Sequence, residues 1–201
     1  MEFAEVVARR RMRRDFTGAP VDASVLDAIL GAANRAPSAG HAQGWDGVVL
    51  VGPSETEPFW AATTTADWRA SSRRWPGLRR APVIVTLFAD PVAYVERYRE
   101  ADKNPSGLGA GPDAWPVPYW FVDVGQGALL ILLAAEDAGL GACFLGNFRG
   151  EGRLRQALGV PEDRRYAGAV LVGKAGSDDP PSSSVARPSK TVRDRFHRAR
   201  W

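Results

Sequence analysis

Arg9-Arg10-Arg11-Met12-Arg13-Arg14-Asp15-Phe16 sets five arginines within six positions, then an acid, an aromatic ring and the turn Thr17-Gly18-Ala19-Pro20. A guanidinium stays charged at any working pH and presents a planar fork of donors that matches phosphate oxygens. Two readings of the stretch stay open on these residues alone. One is a grip on the phosphate of a cofactor. The other is the solvated basic end of a helix over residues 2–12, with Phe3, Val6, Val7 and Arg10 on one face, where the helix dipole favours cations.

Working outward, Asp22 or Ser24 can cap a second helix running to about Arg35, with Val25, Leu26, Ile29, Leu30 and Ala33 at helical spacing and Pro37 as its stop. A polar loop follows, Ala36 to Trp45. Val48 to Val51 is a compact apolar strand closed by Gly52-Pro53. Residues 54–80 carry Trp60, Trp68 and Trp75 among arginines, with a helical pattern from Glu55 to Thr65. Val83 to Phe88 reads as a buried strand and Pro91 to Ala101 as a helix; residues 102–118 are a Gly/Pro loop holding Trp115. Loops of that length are commonly functional. The strongest pattern is Tyr119 to Asp137, a helix apolar almost all round from Ala128 to Ala135 and ended by Gly139. Such a helix is buried in a core or at a subunit interface. Ala142 to Leu145 and Tyr166 to Val172 are further strands, with a short helix over Gly152 to Leu158. From Gly173 the chain turns polar and proline-rich, an arm with no apolar surface of its own, ending in the basic tail Arg193 to Trp201.

Helices outnumber strands and do not alternate strictly with them, so the expected class is α+β, in one domain over residues 1–201 with 173–201 as the arm. A chain of 201 residues that is 45% hydrophobic and 24% charged can bury a full core, and its net charge is only +3. The basicity is therefore local, at residues 9–14, 69–80 and 193–200, which suits phosphate-bearing ligands as well as nucleic acid. The single Cys143 excludes an internal disulfide and, in an apolar strand, reads as inert. The two histidines, His41 and His197, have no partner at metal-ligand spacing. The acidic start Met1-Glu2-Phe3-Ala4-Glu5 is unlike a secretory signal, and the run Ala128 to Ala135 is too short to span a bilayer; the expectation is a cytoplasmic protein with no membrane partner.

Taken in order, Arg10 to Phe16, Ala36-Pro37-Ser38-Ala39-Gly40-His41-Ala42-Gln43-Gly44-Trp45, Asp123-Val124-Gly125, Gly139 to Gly146, Val172-Gly173-Lys174 and Arg187-Pro188-Ser189-Lys190 resemble the nitroreductase family of flavin enzymes. The resemblance spans nearly the whole chain. It implies a central, mostly antiparallel sheet flanked by helices, a buried central helix and an extended C-terminal arm, in an interwoven homodimer with FMN at the subunit interface. It further implies that Arg10, Arg11, the Met12 position, Arg14 and Arg187 hold the phosphate and ribityl chain. Pro37, Ser38, Ala39 and His41 would line the isoalloxazine, often from the other subunit, with Gln43 supporting that loop. Leu145 and Gly146 would offer backbone near the reactive edge. Trp68, Trp115, Tyr119 and Trp120 are candidates for a substrate wall, or for packing. Met12 stands where the family pattern has serine, His41 where it has asparagine, Gly44 where it has proline, and Val185 where lysine is common.

The implied activity is hydride transfer from NADPH or NADH through flavin to a small acceptor such as a nitroaromatic, quinone or enone, with no catalytic side chain and no metal. Three alternatives stand beside it. One is a deazaflavin user, another a flavin-degrading or flavin-sensing protein. The third is a nucleic-acid binder using the basic ends, against which the chain has no recognisable nucleic-acid module.

Overall fold

The computed structural model describes residues 1–147, 149–179 and 186–201. In chain order its elements are α1 (Phe3–Arg9), α2 (Ala23–Ala33), β1 (Trp45–Val51), α3 (Gly52–Thr63), α4 (Ala66–Ser71), α5 (Trp75–Leu78), β2 (Val83–Ala89), α6 (Pro91–Arg97), α7 (Tyr119–Asp137), β3 (Gly141–Leu145), α8 (Glu151–Leu158), β4 (Arg165–Gly173) and α9 (Val192–Arg195). The class is α+β.

The strands form one antiparallel sheet in the order β1-β2-β4-β3. The central β2, Val-Ile-Val-Thr-Leu-Phe-Ala, is buried at every residue because it has apolar layers on both faces. Ile29, Val83, Val85, Ile131 and Val170 belong to one layer, with α2 and α7 over it; Phe59, Trp60, Ile84, Leu154 and Leu171 belong to the other, with α3 and α8 over it. The buried Thr86 satisfies its hydroxyl by donating to the Val48 carbonyl at 3.1 Å. Asp22 caps α2 by accepting from Ser24 N and Val25 N.

α7 is long and apolar enough to cross a membrane by length and composition alone, but here Val124, Ala128, Ile131 and Ala135 on its inner face are core. Its outer face leaves Phe121, Val122 and Leu129 exposed. The bounds Tyr119–Asp137 are those that the sequence outlines.

Four local expectations are corrected. The first helix does not run to residue 12. It ends at Arg9, and residues 10–16 are an extended strap: Met12 bridges Ala142 in parallel, Arg13 N donates to the Ala142 carbonyl, and Phe16 bridges Ala175. The backbone groups that a helix would have used are taken by the edge of β3. Gly52-Pro53 opens α3 rather than simply closing a strand; Gly52 takes φ +79° and Pro53 sits in the first turn, where its missing N–H costs nothing. The helix from Pro91 stops at Arg97. Residues 102–118 are not one open loop but hold three 3₁₀ turns, at Asn104–Ser106, Leu108–Ala110 and Pro112–Ala114. Arg99 Nε pins them on the Gly109 carbonyl at 2.9 Å, and Trp115 Nε1 on the Leu108 carbonyl at 3.0 Å.

Candidate functional site

The strap distributes its arginines unequally. Arg11 donates Nη1 to the Ala8 carbonyl at 2.7 Å and the Arg10 carbonyl at 2.9 Å, closing the C-terminal end of α1. Arg14 reaches the Met12 carbonyl with Nη1 at 3.2 Å, and its backbone N–H donates to Asp179 Oδ2 at 3.1 Å. Arg10 is different: Nη1 is buried and has no hydrogen-bond partner among the described residues. A buried guanidinium donor without an acceptor is costly. One beside further cations is the donor set that an anion would complete. Met12 offers no hydroxyl; its side chain packs on the core and its sulfur accepts from Phe144 N at 3.4 Å.

Asp15 fixes the strap. It is 4% exposed, pairs with Arg80, and accepts from Asp178 N at 3.0 Å, while its carbonyl accepts from Gly176 N at 2.9 Å. The start of the arm is thereby stitched to the arginines, and a Cβ on Gly176 would fall 2.0 Å from the Asp15 carboxylate. Arg187 lies farther along the arm, exposed. Val185 lies outside the described residues, as do residues 180–184 of the arm.

The second group is the loop before β1. Ser38 Oγ accepts from Gln43 N at 3.0 Å, and Arg97 Nε donates to the Gly40 carbonyl at 2.8 Å. Gly40, His41 and Gln43 all take left-handed backbone, at φ 62°, 57° and 50°. Histidine and asparagine both enter this region more readily than most residues, so His41 keeps a conformation that the asparagine of the family pattern would also hold. Non-glycine residues in this region cluster at functional sites. Pro37, His41 and Gln43 are exposed, and Ser38 and Ala39 half-buried.

What holds this loop is a residue that the sequence motif contains but does not explain. Asp123 of α7 is 2% exposed, and its Oδ2 accepts from Ala39 N at 2.8 Å and Tyr94 Oη at 2.6 Å; Gln126 Nε2 lies 3.4 Å from Oδ1. Burial, then the bond to Asp123, raises the Tyr94 phenol far above its ordinary range, so Tyr94 stays a donor. A carboxylate inside an otherwise apolar helix was the one available signal. Gly44 lies under the Tyr94 ring, where a Cβ would fall 2.4 Å from Cε2.

The third group is the end of β3, where Leu145 is half-buried and Gly146 exposed. They border a cavity of about 350 Å³ shared with Trp60, Trp68, Asn147 and Arg149. The four aromatic candidates separate. Trp68, 39% exposed, lies 5.9 Å from Trp75 beside this cavity. Trp115 and Trp120 are buried in the core around Tyr94, and the half-open Tyr119 leans on Trp115 at 6.2 Å. Within one chain the four do not form a single wall. Cys143 is buried, its thiol pushed up to about 11 chiefly by burial, and is inert.

The strap runs along β3 and the left-handed loop enters β1, on opposite edges of the sheet. Three strand spacings put these edges about 14 Å apart.

The α+β layer structure thus carries a cationic strap at one edge of its sheet and a clamped left-handed loop at the other. The chain belongs to the nitroreductase family, which it matches over residues 7–174. It is 26% identical over 205 residues to an Archaeoglobus fulgidus protein assigned as an NADH dehydrogenase/NAD(P)H nitroreductase, covering 100% of this chain and 99% of that one. It is 29% identical over 193 residues to an NADH dehydrogenase of Thermus thermophilus, covering 87% of each. The solved structure of an FMN-dependent nitroreductase from Clostridium difficile superposes with a TM-score of 0.65 at 20% identity, over 98% of both chains, which establishes the common fold.

Proposed function

We propose that this protein is a homodimeric FMN-dependent oxidoreductase that passes a hydride from NADH or NADPH to a small organic acceptor such as a nitroaromatic, quinone or enone. The observation that carries this reading is the buried Nη1 of Arg10, which has no hydrogen-bond partner among the described residues and lies inside a strap of cations. Membership of the family, and the FMN dependence of the Clostridium difficile protein, support it.

The residues present fit the cofactor. Arg10 and Arg14 offer charged donors for the phosphate, and Arg187 can join them from the arm. Arg11 commits Nη1 to the end of α1 and keeps Nε and Nη2 as donors. Pro37, Ser38, Ala39 and His41 provide a narrow, left-handed edge for a planar ring, with Gln43 tying the loop through Ser38. Leu145 and Gly146 offer backbone at the mouth of the cavity. When bound, FMN supplies the hydride-accepting centre, so no side chain need act as acid or base. The protein's own work is to hold charge, orient the ring and exclude water, the last through Trp68.

Separation of strap and loop across the sheet favours a dimer, in which a second copy brings its loop to this strap. The exposed Phe121, Val122 and Leu129 of α7 supply an apolar face for that contact.

Gel filtration after incubation with FMN tests the proposal. Flavin co-eluting one per chain, at the mass of two chains, is the expected result. Flavin eluting free of the protein would refute it.

A further inference from the structure

β4 changes face near its start. Along its later half the residues alternate in the usual way: Val170 and Val172 belong to the layer beneath α2 and α7, Ala169 and Leu171 to the layer beneath α3 and α8. Continued back to Tyr166, that alternation would put the ring with Val170. The ring lies in the other layer instead. The cause is a shift in the β2–β4 register: Leu87 faces Gly168 and Phe88 faces Tyr166, so Ala167 is the extra residue of a bulge. Gly168 permits it, with φ at +145° and a Cβ position only 2.4 Å from Phe144 Cζ. Bulges of this kind commonly re-aim a side chain beside a functional site.

The re-aimed Tyr166 sets its ring 5.5 Å from Phe88 and donates its hydroxyl to Asn147 Oδ1 at 2.7 Å. Burial, then Glu151, raises the phenol above its ordinary range, so the proton stays. That proton has no other acceptor among the described residues, so a flipped Asn147 amide would leave it unpaired on a half-buried ring. The amide is thus fixed with its oxygen on Tyr166. Its Nδ2 has no partner among the described residues and is the end left for the cavity that Asn147 lines with Leu145 and Gly146.

We infer that Tyr166 is a positioning residue for the flavin: it acts through Asn147, whose Nδ2 donates to an acceptor on the edge of the ring. The inference rests on the FMN reading, which gives the ring edge to the neighbouring Leu145 and Gly146. Carbonyl oxygens and unprotonated nitrogens on that edge accept hydrogen bonds. A donor held against them favours the electron-rich reduced ring over the oxidised one, whereas the amide oxygen in its place would oppose reduction. The bulge therefore decides which end of one amide the cofactor meets.

The midpoint potential of the bound flavin, measured anaerobically against a reference dye, tests this on the FMN-loaded protein and its variants. Asn147→Ala should lower the preference for reduced over oxidised flavin by about 3- to 10-fold, the worth of one hydrogen bond and equivalent to about 15–30 mV for a two-electron couple. Asn147→Asp keeps the bond from Tyr166 but puts an acceptor where the donor was, and should lower the preference further. Tyr166→Phe keeps the ring and frees the amide to turn, and should lower it by about 2- to 3-fold. Added to Asn147→Ala, Tyr166→Phe should lower it no more, because its effect passes through the amide. An Asn147→Ala protein whose flavin titrates at the wild-type potential would overturn the inference and leave the FMN reading intact. So would a Tyr166→Phe effect undiminished in the Asn147→Ala background, which would mark the tyrosine as a packing residue. A wild-type chain that takes up no flavin would overturn the FMN reading and this inference with it.

Discussion

Replacing Asp123 separates what clamps the left-handed loop from what merely lies near it. In Asp123→Ala, the Tyr94 hydroxyl and the Ala39 N–H lose their shared acceptor in a place where Asp123 is only 2% exposed. Each unsatisfied buried donor costs about 1–3 kcal/mol, so the pair predicts a loss of about 4 kcal/mol, a large part of a domain's stability. Asp123→Asn keeps the shape. Its Oδ1 can accept both donors while Nδ2 faces a rotated Gln126 amide, so only the charge assistance is lost, about 1–2 kcal/mol. Tyr94→Phe removes one donor and leaves the carboxylate with the other. Combined with Asp123→Ala it should cost less than the sum of the two by about 1–2 kcal/mol, because one orphaned group disappears. Urea unfolding measures all four proteins, and amide exchange at Ala39 reports the loop directly. Loss of Ala39 protection in the alanine variant, with FMN affinity reduced alongside, is the expected pattern. A cost below about 1 kcal/mol for Asp123→Ala would refute the clamp, as would alanine and asparagine variants of equal stability.

Other outcomes follow from single contacts. Arg10→Gln should weaken FMN binding by about 10- to 100-fold, the worth of a charge-assisted phosphate bond, while Arg11→Gln, whose Nη1 is held by two carbonyls, should change it less; flavin fluorescence titration reads both. Gly44→Ala would drive a Cβ to 2.4 Å from the Tyr94 ring and should cost about 1–3 kcal/mol by thermal unfolding, so the proline of the family pattern cannot be restored without loss. Cys143 should resist a thiol reagent at pH 8 in the folded protein. Because its thiol is pushed up to about 11, the folded state holds the proton more tightly than the unfolded chain does. Its contribution is full below the ordinary pKa of 9.0 and declines as pH rises to about 11. The difference in stability between the wild type and Cys143→Ala should change over that window and not below it.

Much of the fold is readable from local pattern. Tyr119 to Asp137 shows as a helix because apolar residues on every side fix both its type and its burial, and Asp22 marks the start of α2 by its capping chemistry. The strap does not show, since Phe3, Val6, Val7 and Arg10 continue a helical rhythm that only the distant Ala142 interrupts. The site is half legible. Arginines and a small-residue loop can be recognised as pieces. That Arg11 Nη1 is held by two carbonyls while Arg10 Nη1 has no partner among the described residues depends on side-chain paths that spacing does not encode. Trp115 and Trp120 look like wall residues, yet the 3₁₀ turns fold Trp115, and the first turn of α7 carries Trp120, against Tyr94. The pairings of Asp123 with Tyr94 and of Asn147 with Tyr166 join residues that are far apart in sequence, and nothing local announces them.

The measurement that bears most directly on the central claim is an anaerobic titration of the FMN-loaded protein with NADH and with NADPH, followed in the visible flavin bands. Bleaching by one equivalent of either nicotinamide, reversed by a nitroaromatic or a quinone, is the predicted result. A bound flavin that neither nicotinamide bleaches would contradict it.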